Sequence, residues 1–209
     1  MNKYIVVSND GWYAKGILEQ FPNYQGIDRF PWPLCKEDLK KITYLPDREK
    51  ACAEHYVKAL GEINVIDIYC DEFAYAYQYA KLCNLLNIDA DIYISKLCYD
   101  TISETQSMIV DDKEYLFIGY DYVLKDAAYS SLIHEKHLCD KIEKLQLNQN
   151  GLLSSFYDAR RFADLREQAK IENNEVGFES GSDGADFHIM ALFKYRGGYY
   201  NYIKAFEYN

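Results

Sequence analysis

An α/β fold of mixed α+β character is what these 209 residues predict: an N-terminal βαβ-containing sheet with parallel strands, then a C-terminal helical pair and an antiparallel β-hairpin. Three observations carry that expectation. Asn64 to Cys70, Asp71 to Leu86 and Ala90 to Leu97 read β-rich, helix-periodic and β-rich over about 34 residues, a length suited to a right-handed βαβ crossover. Asp126 to about Leu147, and Leu153 to about Ile171, keep apolar residues at helical spacing. Phe187 to Tyr195 and Tyr199 to Tyr208 alternate around Arg196-Gly197-Gly198, and paired glycines signal a hairpin turn.

Taken in order, Lys3 to Ser8 is a first strand that breaks at Asn9-Asp10-Gly11, residues suited to turns and positive φ. A short helix is expected from about Tyr13 to Phe21. Prolines at 22, 31, 33 and 46, with Gly26, make the next stretch irregular except for a short helix from Lys36 to Ile42, and so long a loop is a candidate binding loop. Asp47 opens a helix in which Cys52, Tyr56, Ala59, Leu60 and Ile63 recur at helical spacing. Asp71 caps the next helix, whose apolar face is Phe73, Ala76, Tyr77, Ala80, Cys83 and Leu86, and Asn87 to Asp89 ends it. Met108 to Val110 and Tyr115 to Val123 flank the turn-like Asp111-Asp112-Lys113-Glu114, an antiparallel extension of the sheet. The helix after it buries Leu132, Leu138, Cys139, Ile142 and Leu145, and Asn150-Gly151 separates it from the last helix. One domain over 1–209 is expected, with an α/β half of about 1–105 and a half holding the helical pair and hairpin of about 106–209.

Composition limits the function classes. Hydrophobic residues at 49% against 27% charged exclude a disordered chain. A net charge of −10 repels phosphate backbones and anionic membranes, and the clearest local exception, Arg160, Arg161 and Arg166, is small. The segment Met1 to Val7 lacks the hydrophobic core and cleavage site of an export signal, and no window approaches the length of a membrane span. Six scattered cysteines without a Cys-x-x-Cys pair suit buried, reduced thiols, so the expected location is cytoplasmic.

No complete catalytic, metal or nucleotide motif is present, and no cofactor is expected. Glycine-rich phosphate loops are missing after both candidate strands. Asp10, Asp71 and Glu72 follow strands whose carboxyl ends would face a ligand in a parallel sheet, and three carboxylates suit a divalent cation. Each also has an ordinary role as a turn or capping residue. His134 and His137 stand three apart on the expected long helix, a weak zinc alternative that departs from His-Glu-x-x-His. The 180–186 stretch has calcium-loop residue types without the ligand spacing.

What remains distinctive is 21 tyrosines in an acidic chain. Tyrosine supplies rigid contact area with a hydrogen-bonding tip, and carboxylates select cationic partners. Tyr75 and Tyr79 share a helical face, while Tyr199, Tyr200 and Tyr202 put rings on both sides of the terminal hairpin. With Glu72, Asp111 and Asp112 they form the candidate contact set for a basic protein. The leading expectation is therefore a cytoplasmic, non-catalytic inhibitor of a basic protein, such as a nuclease toxin, with neither nucleic acid nor membrane bound directly. In general composition alone it is similar to the small acidic immunity proteins of bacterial toxin systems. Two alternatives stand beside it: a small metal-dependent hydrolase or transferase using Asp10, Asp71 and Glu72, and a nucleic-acid mimic whose carboxylates imitate phosphates.

Overall fold

The computed structural model describes residues 2–8, 12–26, 34, 36–61, 69–70, 73–98, 115–124, 129–142, 145–173 and 187–196. Along the chain run β1 (Asn2–Ser8), α1 (Trp12–Gln20), α2 (Lys36–Lys40) continuing into a 3-10 turn (Lys41–Tyr44), α3 (Asp47–Gly61), β2 (Tyr69–Cys70), α4 (Phe73–Leu85), β3 (Ala90–Leu97) and β4 (Tyr115–Leu124). Two single-turn helices, α5 (Ser131–His134) and α6 (Lys136–Cys139), then precede α7 (Phe156–Asn173) and β5 (Phe187–Tyr195). Among these residues no helix is long and apolar enough to cross a membrane.

The strands form one sheet in the order β2-β1-β3-β5-β4, and every pairing is antiparallel. The expected parallel sheet is thereby corrected. β2 and β3 do run the same way on either side of α4, but β1 lies between them and is antiparallel to both, pairing Tyr4 with Cys70 and with Ile94. The local strand-helix-strand pattern fixes a crossover without fixing which strand fills the gap beneath it. β1 can fill it because successive residues Ile5, Val6 and Val7 are all buried, apolar on both faces as a central strand requires.

α4 sits between the sheet and α3. One core cluster joins Val6 and Ile92 of the sheet to Ala76, Tyr77, Ala80 and Cys83 of α4, with Ala53 and Leu60 of α3 behind. A larger cluster gathers β4 and β5 with α7, where Phe156 and Phe162 meet Tyr120 and Tyr122 edge to face. Ser155 caps α7: its Oγ accepts from Asp158 N at 3.1 Å and donates to Asp158 Oδ2 at 2.8 Å.

One further expectation changes. The long helix over Asp126 to Leu147 is replaced by α5 and α6, which break at Glu135 (φ −117°, ψ 34°). Residues 129–130 still serve β4, where Tyr129 O accepts from Leu124 N and Ser130 bridges Val123, so helix cannot begin before Ser131. The helical pair is therefore one long helix and two short turns. The first arm of the expected terminal hairpin is β5, hydrogen-bonded to β3 along Met190–Lys194 and to β4 along its length. The other expected arm, 199–208, and the 108–110 arm of the earlier hairpin lie outside the described residues.

β4 would be an exposed edge, and the chain covers it. Tyr120 exchanges two 2.9 Å backbone bonds with Leu153, and the side-chain amides of Asn148 and Asn150 each donate to Ile118 O at 2.8 Å. A bulge between Phe117 and Gly119 makes room for that cover, with Gly119 at φ +141°. A Cβ there would meet Leu152 Cβ at 2.7 Å and Leu153 O at 3.1 Å. Gly119→Ala is expected to cost about 2 kcal/mol, read as a lower urea midpoint; an unchanged midpoint would show that the bulge relaxes without penalty.

Candidate functional site

The fold tests the aromatic face first. Of the fourteen tyrosines whose side chains are described, Tyr24, Tyr77, Tyr79, Tyr93, Tyr120 and Tyr122 are buried, only Tyr44 and Tyr157 are exposed, and the rest are partly buried. Most of these fourteen rings are therefore wholly or partly buried. Tyr79 is 6% exposed and Tyr75 is partly buried against the same cluster, so the expected exposed pair is corrected. The reason is that α4 is covered twice, by the sheet on one side and by α3 on the other. Glu72, Asp111, Asp112, Tyr199, Tyr200 and Tyr202 lie outside the described residues.

The carboxylate alternative depended on parallel strands. Asp10, Asp71 and Glu72 themselves lie outside the described residues, but the strands before them do not. With β1 and β2 antiparallel and Tyr4 opposite Cys70, β2 finishes near the start of β1, about 13 Å of strand from Ser8. The two strand ends that were to present a shared cation site point in opposite directions.

The histidine alternative changes for a local reason. His134 ends α5 and stacks on Tyr129 with centroids 4.2 Å apart, while the break at Glu135 puts His137 on α6 and removes the continuous helical face the pair required. No group of three or more His, Cys, Asp or Glu side chains among the described residues is arranged to hold a metal. The arginines do not make a cationic patch either. Arg160 faces Asp164 at 3.6 Å, Arg161 faces Asp158 at 3.4 Å, and Arg166 is buried.

The structure instead assembles a buried polar network around Asp121, in the middle of β4 and 0% exposed. Its Oδ2 accepts from Tyr24 Oη at 2.8 Å; its Oδ1 accepts from Ser130 Oγ at 2.5 Å and from Tyr122 N at 2.9 Å. Gly26 permits this closeness, since a Cβ there would lie 2.1 Å from Tyr24 Oη and 2.5 Å from Asp121 Oδ2. Both carboxylate oxygens are engaged and water is excluded, so the group ties residues 24, 121 and 130 together rather than receiving a substrate proton. Nearby, the Arg166 side chain donates from Nε to Glu135 Oε2 at 2.8 Å, lies 3.6 Å from the Phe187 ring centroid, and reaches Glu167 at 3.4 Å. Ser131 Oγ donates to the same Glu135 oxygen. Burial, with the Glu167 carboxylate adding to it, raises the Tyr122 phenol above its ordinary range, so it stays protonated.

The described thiols divide by exposure. Cys52 is exposed, Cys98 and Cys139 are partly buried, and Cys83 is buried; all four are free. Burial pushes Cys98 up to about 12 and Cys139 up to about 11, and drives Cys83 in the same direction, so none of the three offers a thiolate near neutrality. A cysteine-nucleophile chemistry finds no support at these positions. The folded chain keeps protons that the unfolded chain would release near 9, so this contribution is complete below about 9 and is lost as pH rises toward 11–12. Stability should therefore fall between pH 8 and pH 10.5, measured as a lower urea midpoint. A flat profile across that window would refute the burial effect.

Charge is distributed very unevenly. The stretches 62–72, 99–114 and 171–186 hold fourteen acidic residues and one lysine, Lys113, a charge of −13 against −10 for the whole chain. The remainder is slightly basic. Strand direction points the end of β2, the end of β3 and the start of β5 toward the same end of the sheet, but staggered: Cys70 is level with Ile94 and Phe193, about 20 Å of strand short of Phe187. There 71–72 follow β2, 99 follows the last described residue after β3, and 186 precedes β5, whereas 114 precedes β4 at the opposite end, where Tyr115 pairs with Tyr195. No protein-family model, curated protein or solved structure matches the chain.

Proposed function

We propose that this chain is an acidic binding protein, acting in the cytoplasm, that inhibits a basic protein by occupying it, in the manner of a toxin-immunity or inhibitor protein. The observation that carries the reading is the segregation of charge along the sequence: 62–72, 99–114 and 171–186 hold the whole negative excess while the remainder is near balance. A chain that concentrates its carboxylates into a few stretches beside a near-balanced remainder is suited to electrostatic recognition of a cationic partner. A nuclease toxin is the favoured partner class, since its phosphate-binding cleft is a cationic surface that carboxylates complement. The tyrosines described in the interior withdraw from this account, leaving Glu72, Asp111 and Asp112 as its leading contacts, with Tyr199, Tyr200 and Tyr202 retained beside them.

The test combines capture with charge reversal. Immobilised chain exposed to extract of its native host at about 0.15 M salt should retain a basic protein whose enzymatic activity falls in proportion to added chain. Asp111→Lys with Asp112→Lys should slow that association by about tenfold or more while leaving the unfolding midpoint unchanged. Recovery of acidic proteins alone, or equal association by the charge-reversed chain, would sink the proposal.

A further inference from the structure

We draw no further inference here: the strongest candidate, the acidic stretches that follow β2 and β3 and precede β5 in the chain, belongs to the reading already proposed and has no second observation pointing to what it would hold.

Discussion

Asp121→Ala is expected to lower the free energy of unfolding by about 4 kcal/mol, the largest effect of any polar substitution in this chain. The carboxylate is fully enclosed and receives the Tyr24 hydroxyl, the Ser130 hydroxyl and the Tyr122 amide. Truncation strips all three donors of their acceptor in a place water does not reach, and each buried donor left without one costs about 1–3 kcal/mol. Asp121→Asn separates shape from charge. It keeps an acceptor oxygen but turns an amide donor toward a hydroxyl, so a loss of about 2 kcal/mol is expected, between wild type and alanine. Urea midpoints give the totals. Amide exchange gives the location, because residues 24–26 are tied to this carboxylate and to Asn150 O, which accepts from Gln25 N at 2.7 Å. Exchange there should accelerate more than in α3, whose Ala53 and Leu60 pack in the other core cluster. An alanine variant within 1 kcal/mol of wild type, or acceleration spread evenly over both regions, would contradict the assignment.

Most local structure was legible because its signals are local. α1, α3, α4, β3 and β5 follow apolar periodicity and turn chemistry, and Asn87 ends α4 with the left-handed φ of 58° that such a residue tolerates. Pairing partners were not legible. The same residues 64–97 specify a crossover whether β2 and β3 touch or enclose β1, and only the doubly buried Ile5-Val6-Val7 hints at enclosure. The stretch 126–147 misled for a related reason. Leu132 and Leu138 are buried and Cys139, Ile142 and Leu145 are partly buried, as a helical stripe predicts, but consecutive short turns satisfy the same spacing. The polar network escaped notice although its trace is in the chain. Asp121 interrupts the run Ile118 to Val123, and Arg166 stands in phase with the buried Ala159, Phe162 and Ala163 of α7. A charged residue on an apolar stripe demands internal partners, and that demand is readable before the partners are known. The acidic stretches carried the opposite kind of signal: both the net charge and its concentration in 62–72, 99–114 and 171–186 are plain from the sequence.

Arg166→Ala should destabilise the chain by about 3 kcal/mol, through two losses that substitutions can separate. The guanidinium lies 3.6 Å from the Phe187 centroid and 5.9 Å from that of Tyr122, so truncation removes packing as well as charge. It also leaves Glu135, whose side chain is 24% exposed, without the Nε donor at 2.8 Å. Arg166→Met restores apolar volume over Phe187 while leaving Glu135 to partial hydration, and is expected to recover about half of the loss. Arg166→Lys keeps the charge but loses the planar stack and the fixed fork, and should fall closer to alanine than to wild type. The double change Glu135→Gln with Arg166→Met removes both charges and should cost less than the sum of its single changes, by about 1–2 kcal/mol, because neither side chain is then left charged and unpaired. Raising salt from about 0.1 M to 1 M should leave the Arg166→Ala deficit unchanged, since screening acts weakly on a cation with 8% of its side chain exposed. Arg160→Ala is the surface control: its 3.6 Å contact with Asp164 joins side chains 45% and 69% exposed, and a change within about 0.5 kcal/mol is expected. Equal losses at Arg166 and Arg160, or a deficit at Arg166 that vanishes in high salt, would place that guanidinium in water rather than between Glu135 and Phe187.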